Sequence, residues 1–195
     1  MGEREPGGAP DPVPAAMSRA ARERFLPRSA RARADHDGPL RIGYGQTSSQ
    51  PRTVAAMLRL LDVRPAHRVL DLGSGSGWTT AILGELVGPE GRVIGVERIP
   101  QLVERSRAAL REHGGGPTEI RQARPGVLGA PESAPFDRIL VSAEAGELPM
   151  PLVRQLADGG VMVIPVRERL LRVVRSGDEA RITRHGAYVF VPLVE

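Results

Sequence analysis

Cysteine is absent from the 195-residue chain, which excludes disulfides, thiolate metal sites and a cysteine nucleophile. Lysine and asparagine are absent as well, so all 27 basic residues are arginine; a GC-rich coding sequence accounts for this bias without any appeal to guanidinium chemistry. Aromatic residues make up 3%, too few for the stacking platforms that read single-stranded nucleic acid, and they leave the core to Val, Leu, Ile and Ala. Met1 to Pro14 carry Pro, Gly and acids but no apolar run, so neither a signal peptide nor a membrane anchor is expected there, and a cytoplasmic protein is. The four histidines, His36, His67, His113 and His185, lack ligand spacing; no metal site is expected, and all four read as surface or turn residues.

What is present suits one globular domain. Hydrophobic residues supply 41% and charged residues 26%, the mix of a soluble domain of ordinary size. The net charge of +4 is concentrated between Met17 and Arg41, where seven Arg face three acids and the surplus equals that of the whole chain. Such a run can steer an acidic partner, but a solvated helix face is the commoner explanation, and nucleic-acid binding is not inferred.

Residues 1–16 read as a disordered, Pro-rich tail, and residues 17–195 as the domain, with an N-terminal helical segment over 17–64. A short helix is predicted from Met17 to Phe25. Ser49-Gln50-Pro51 then looks like a helix start, with Val54, Met57, Leu58 and Leu61 at helical spacing. Arg68 to Leu72 is a predicted strand, Gly73-Ser-Gly-Ser-Gly77 a glycine loop, Trp78 to Val87 a helix, Val93 to Val96 a second strand ending at Glu97, and Leu102 to Leu110 a second helix. Strands are predicted at Glu119 to Gln122, Arg138 to Ser142 and Val161 to Pro165, with a helix from Pro149 to Leu156. This alternation predicts an α/β fold, a doubly wound, mostly parallel sheet covered by helices on both faces. Leu170 to Arg175 and Ala187 to Val194, joined without room for a crossover helix, predict a closing antiparallel hairpin.

The candidate cofactor site is Asp71, Gly73, Ser74, Gly75, Gly77 and Glu97. The glycines let backbone approach a ligand closely, and a carboxylate at the end of the following strand can bind ribose hydroxyls. A dinucleotide and S-adenosyl-L-methionine both fit that pattern. Asp71 at the end of the first strand favours the second, whose sulfonium and ammonium groups are cationic.

Ile42-Gly-Tyr-Gly-Gln-Thr-Ser-Ser-Gln-Pro51 resembles the signature upstream of the cofactor loop in the protein-L-isoaspartate O-methyltransferase family. Arg22-Glu-Arg-Phe-Leu-Pro27, Val96-Glu-Arg-Ile-Pro100, Ala134-Pro-Phe-Asp137, Asp158-Gly-Gly160, Ile164-Pro-Val166 and Phe190-Val-Pro-Leu193 follow in family order. The resemblance implies a Rossmann-like class I methyltransferase fold and methyl transfer from S-adenosyl-L-methionine to the α-carboxylate of L-isoaspartyl residues in damaged proteins or peptides. It implies that Ser49 contacts the substrate carboxylate, with Gln46 and Thr47 shaping the same loop. Capping the helix at Pro51 is an equally good role for Ser49 on residue type alone. No general base is needed, because an α-carboxylate of pKa about 3.5 is already ionised at neutral pH. A monomer is expected, with no nucleic acid or membrane among its partners.

Three departures from the family pattern stand out. Arg124-Pro125-Gly126 replaces Gly-Asp-Gly, so the acid expected at the adenine amino group is missing. Ala143-Glu144-Ala145-Gly146 puts a carboxylate where the family tends to read Ala-Ala-Ala-Pro, and Arg167-Glu-Arg169 replaces a longer glycine-rich link. They leave two alternatives: a relative that methylates aspartate in one dedicated peptide, and a homologue that binds cofactor or peptide with weakened turnover.

Overall fold

A computed structural model describes residues 10–114 and 116–194. Its centre is a seven-stranded sheet in the order β5-β4-β3-β6-β7-β8-β9, built from β3 (Arg68–Leu72), β4 (Arg92–Glu97), β5 (Thr118–Gln122), β6 (Phe136–Val141), β7 (Leu156–Val166), β8 (Arg169–Ser176) and β9 (Glu179–Ala187). The five strands from β5 to β7 run parallel, and β8 and β9 are antiparallel. The middle strands are nearly continuous apolar runs, as expected of parallel strands covered on both faces. Val69, Val93, Leu140 and Val163 point into one layer, while Leu70, Ile94, Ile139 and Met162 point into the other.

The first layer holds α1 (Val13–Arg19), α3 (Pro51–Leu61), α4 (Trp78–Val87) and α5 (Pro100–His113). The second is thinner than the predicted alternation suggests. It contains the one-turn α6 (Met150–Val153) and the irregular segment around Leu128 and Ala130. A predicted helix running to Leu156 is cut short because Leu156 is already strand and wholly buried.

Two further differences concern the ends. The helix α1 begins at Val13, not Met17, because Val13 and Ala16 are buried in the core cluster that includes α4; the expected tail therefore stops short of residue 13, and its first nine residues lie outside the described ones. The region predicted as one helix to Phe25 is α1 followed by a 3-10 turn over Arg22–Phe25, then a single turn, α2 (Arg28–Arg31). At the other end, the partner of β8 is β9 at Glu179–Ala187. Residues 188–194 form no strand beyond an isolated bridge between Glu144 and Pro192; instead they run along the cavity rim.

A two-stranded hairpin that sequence periodicity did not suggest stands apart from the main sheet. Its strands are β1 (Leu40–Gly43) and β2 (Gln46–Ser48), joined through Tyr44-Gly45. Leu40 and Ile42 of β1 are buried against Leu26 and Leu102, which seats the hairpin over α5.

Candidate active site

β3 is paired with β4 on one side and β6 on the other, so the direction of winding reverses there, and the crevice beyond the strands' carboxyl ends is where open α/β sheets take ligands. A cavity of about 330 Å³ occupies that position. Its floor is made by Leu72, Gly73, Ser74 and Gly75 after β3, by Val96 and Glu97 at the end of β4, and by Ser142 after β6. One wall is Ile42, Gln46, Thr47, Ser48 and Ser49, another is Gln122 to Pro125, and Val191 to Val194 close the rim.

The glycine loop is tied to the neighbouring strand. The backbone N–H groups of Gly73 and Ser74 both donate to the Val96 carbonyl, at 2.9 and 3.1 Å. Gly75 N–H donates to Glu97 Oε2 at 3.0 Å, and Ile99 N–H donates to Glu97 Oε1 at 2.8 Å. Glu97 is thereby held rigid, 6% exposed, with spare lone pairs on both oxygens. At Gly75 the backbone is left-handed, φ +52°, and an added Cβ would lie 3.3 Å from Ile42 Cδ1; any side chain there would fill the space between loop and hairpin.

Two of the predicted cofactor residues lie outside the cavity lining. Gly77 caps α4, and a Cβ on it would sit 3.0 Å from Ser106 Cβ of α5, so its bare backbone serves helix packing. Asp71 is completely buried beneath the loop. Its Oδ2 accepts from Thr79 Oγ1 at 2.8 Å and Thr80 Oγ1 at 2.7 Å, while Oδ1 has no partner among the described residues. Burial pushes its carboxyl up to about 6, against the two threonine bonds, and the nearby Glu97 charge adds to the rise. Thr79 lines the cavity and so connects this buried charge to it.

The three residues expected on the substrate side lie on one wall, and the capping role open to Ser49 is not formed. Gln46, Thr47 and Ser49 all line the cavity. Ser49 does not cap α3: the N-cap is Gln50, without a side-chain cap bond, and Asp37 instead accepts the Arg52 N–H at 3.1 Å and the Gln50 side chain at 3.2 Å. The hydroxyls of Thr47 and Ser49 are unbonded among the described residues. Ser48 is committed, since its Oγ accepts from Arg22 Nε at 3.2 Å.

Arg22 stands behind this wall, a position that nothing in its residue type signals. It is 6% exposed and lies over Trp78, 5.2 Å from the ring centroid. Its guanidinium donates to the carbonyls of His36, Gly38, Ser48 and Ser49 at 2.9 to 3.1 Å, and to that of Ala34 at 3.3 Å. No carboxylate pairs with it among the described residues; burial lowers its pKa and the more distant Asp37 charge opposes that. One side chain thus gathers the start of α3, the end of β2 and the segment before β1. Trp78 Nε1 adds a bond to the Ala20 carbonyl at 2.8 Å.

The three departures can now be placed. Pro125 is exposed on the cavity wall, and Arg124 reaches away to Glu132 at 2.7 Å. Glu144 is not part of the lining; its backbone holds the rim segment, with N–H to Val191 O at 2.8 Å and its carbonyl accepting from Leu193 N–H at 2.7 Å. Arg167 and Glu168, at φ +46° and +60°, make a two-residue turn between β7 and β8, the conformation hairpins use. Of the histidines, His36 is exposed and His67 accepts from Arg64 N–H in a turn. His113 is more enclosed than expected, its ring 5.8 Å from Phe25 and bonded to Glu85 at 3.1 Å.

The chain matches a family model described as protein-L-isoaspartate(D-aspartate) O-methyltransferase over residues 3–195. It is 46% identical over 187 residues to the protein-L-isoaspartate O-methyltransferase of Methanopyrus kandleri, covering 93% of this chain and 83% of that protein. The enzyme of the same name from Methanothrix thermoacetophila is also 46% identical, over 92% of this chain and 86% of that one. Among solved structures, a Plasmodium falciparum protein described as a protein-L-isoaspartate O-methyltransferase in complex with S-adenosyl-L-homocysteine superposes with a TM-score of 0.85 at 28% identity, over 95% of this chain and 91% of that one.

Proposed function

The chain belongs to the protein-L-isoaspartate(D-aspartate) O-methyltransferase family, and we propose on that premise that it esterifies the α-carboxylate of L-isoaspartyl residues in damaged proteins and peptides, using S-adenosyl-L-methionine. The observation that carries the reading is a single cavity with the glycine loop and Glu97 on its floor and, on its wall, the hydroxyls of Thr47 and Ser49, unbonded among the described residues.

The residues present fit the cofactor. Bare backbone at Gly75 leaves room beside Ile42 and at Gly73 leaves room beside Ser142 and Ala143, the rigid Glu97 carboxylate suits vicinal hydroxyls, and Asp71 beneath the loop adds negative charge suited to a cationic ligand. When bound, the cofactor supplies an electrophilic methyl group on a sulfonium. The protein's task is then positional. Thr47 and Ser49 can donate to the substrate carboxylate, which attacks without a base, and Ile42, Leu72 and Val191 to Val194 shed water from the site. Holding the two reactants in line can contribute about 7 to 11 kcal/mol when geometry is ideal. Leu193 and its neighbours form the rim a peptide must pass.

Glu144 is absent from the cavity wall, so its carboxylate does not stand in contact with a substrate carboxylate held there. Pro125, present on it, supports a second reading, a relative that methylates aspartate in one dedicated peptide. Among the described residues no helix is long and apolar enough to cross a membrane; a monomer acting in the cytoplasm without nucleic acid is part of the proposal. The test is methyl incorporation from labelled S-adenosyl-L-methionine into paired isoaspartyl and aspartyl peptides. Label on the isoaspartyl member alone is expected, with Ser49→Ala lowering transfer at least tenfold more than cofactor affinity, about 1.4 kcal/mol. Label on neither peptide would reject the proposal, and label on the aspartyl member alone would favour the second reading.

A further inference from the structure

A second cavity, about 170 Å³, lies beside the first and shares Ser76 with it. Four arginines line it, Arg24, Arg28, Arg31 and Arg105, against one acid, Glu112. Folding has neutralised many of the other arginines: Arg19, Arg59, Arg92 and Arg124 each meet a carboxylate within 2.8 Å. Among the described residues, none of the four has a carboxylate within ion-pair distance, Glu112 included. Two are held in place by uncharged acceptors, Arg31 Nε on the Leu26 carbonyl at 3.2 Å and Arg105 Nη1 on the Ile42 carbonyl at 2.8 Å. The arginines at 24, 28 and 31 belong to the basic run that the methyl-transfer reading leaves without a role.

Concentrating four like charges around one concave space costs free energy, and an anion entering it recovers that cost. Low-dielectric walls of Phe25, Leu26 and Leu102 strengthen the field inside. Planar guanidiniums bind carboxylates through paired N–H donors. The apolar walls suit the methylenes of an acidic side chain better than a bare phosphate, and Glu112 opposes a polyanion. Ile42 belongs to both constructions, its side chain lining the active-site cavity and its carbonyl anchoring Arg105.

We propose that this cavity is a subsite for an acidic side chain of the substrate, placed within a few residues of the isoaspartyl residue that enters the main cavity. The proposal rests on the isoaspartyl methylation reading. It makes the preferred substrates damaged segments that carry a neighbouring Asp or Glu.

The experiment walks one Glu, and in parallel one Gln, through the three positions on either side of an otherwise neutral isoaspartyl peptide. At low ionic strength, Glu in at least one position should lower KM by about three- to tenfold relative to Gln, the scale of one partly exposed charge-assisted contact. That advantage should shrink as salt shortens the screening length to a few ångströms. R24Q/R28Q should abolish it and Arg28→Glu should invert it, both with the neutral peptide's kcat/KM unchanged. Both side chains are exposed and make no bond to described residues, and thermal unfolding checks that the variants remain folded. Methylation of the neutral peptide with no Glu advantage at any position would overturn this inference while leaving the methyltransferase reading intact. No methylation of any peptide in the series would overturn both. A Glu advantage that survives in both variants would also overturn it, as would inorganic phosphate or a single-stranded oligonucleotide binding through the same arginines without any peptide effect.

Discussion

Replacing Arg22 with alanine tests whether the substrate wall is held from behind. The native guanidinium satisfies the carbonyls of Gly38, Ser48 and Ser49 through one terminal nitrogen and those of Ala34 and His36 through the other. Truncation leaves at least two buried acceptors without a partner, at roughly 1 to 3 kcal/mol each, and removes the cation over Trp78, worth about 0.5 to 2 kcal/mol. Part of this is offset, because burying the charge was itself costly, as its lowered pKa indicates. A net loss of about 3 to 5 kcal/mol is expected, against total stabilities of roughly 5 to 15 kcal/mol for a domain. For a chain of this length that corresponds to a fall in Tm of about 6 to 20 °C. Kinetics should show where the loss falls. KM for an isoaspartyl peptide should rise about tenfold while affinity for S-adenosyl-L-homocysteine changes less than about twofold, since Glu97 and the glycine loop are anchored separately on β4. Arg22→Lys keeps the charge but has three donors and no planar fork, so it should fall between the two. A folded Arg22→Ala protein with Tm lowered by less than about 2 °C and an unchanged peptide KM would refute the reasoning.

Asp71→Asn should stabilise the protein at alkaline pH. The buried carboxyl is raised to about 6 from an ordinary 3.8, so the folded state binds its proton more tightly than the unfolded chain, and wild type loses stability as pH climbs from about 4 to about 6. The gap is worth about 3 kcal/mol. The Asn variant does not pay it, so denaturant unfolding should find the two proteins alike near pH 3.5 and the variant about 3 kcal/mol more stable at pH 8; a constant difference at both pH values would refute the buried-charge account. The same change should weaken affinity for the cationic cofactor more than for its neutral-sulfur product. Gly75→Val should fold but lose cofactor binding, because a β-branched residue must adopt φ +52° with its Cβ 3.3 Å from Ile42; calorimetry showing native affinity would remove Gly75 from the site.

Local signals carried the centre of the fold. The run from Arg68 to Glu97 is legible because strand, glycine loop, helix and terminal acid are all fixed within thirty residues by short-range chemistry. What was misread depends on contacts distant in sequence. Residues 187–194 are apolar enough to resemble a strand, yet Val191 to Leu193 are recruited by the backbone of Glu144. The actual edge strand, β9, buries none of its residues and mixes charged Glu179, Arg181 and Arg184 with Ala180, Ile182 and Gly186, so it has no alternation to detect. Leu156 reads equally well as the end of a helix or the start of a strand, and burial beside Phe136 decided it. Asp37 capping α3 across fifteen residues displaced the nearer Ser49. Arg22 looked like one arginine among many because nothing in composition distinguishes a buried guanidinium from a solvated one.

The cavity rim joins residues from the two extremes of the fold. Ile42 and Ser49 on one wall face a space closed by Val191 to Val194, nearly 150 positions later, and that closing strip is fastened to Glu144, itself placed after the sixth strand. Contacts of such long separation pay the largest loop-closure entropy and form late. Methyl transfer should therefore be the last property to return on refolding, after the sheet has regained its secondary structure. A chain still emerging from the ribosome has the glycine loop complete long before it has a rim, so competence to modify other proteins waits until Val191 to Val194 have been made and have folded back.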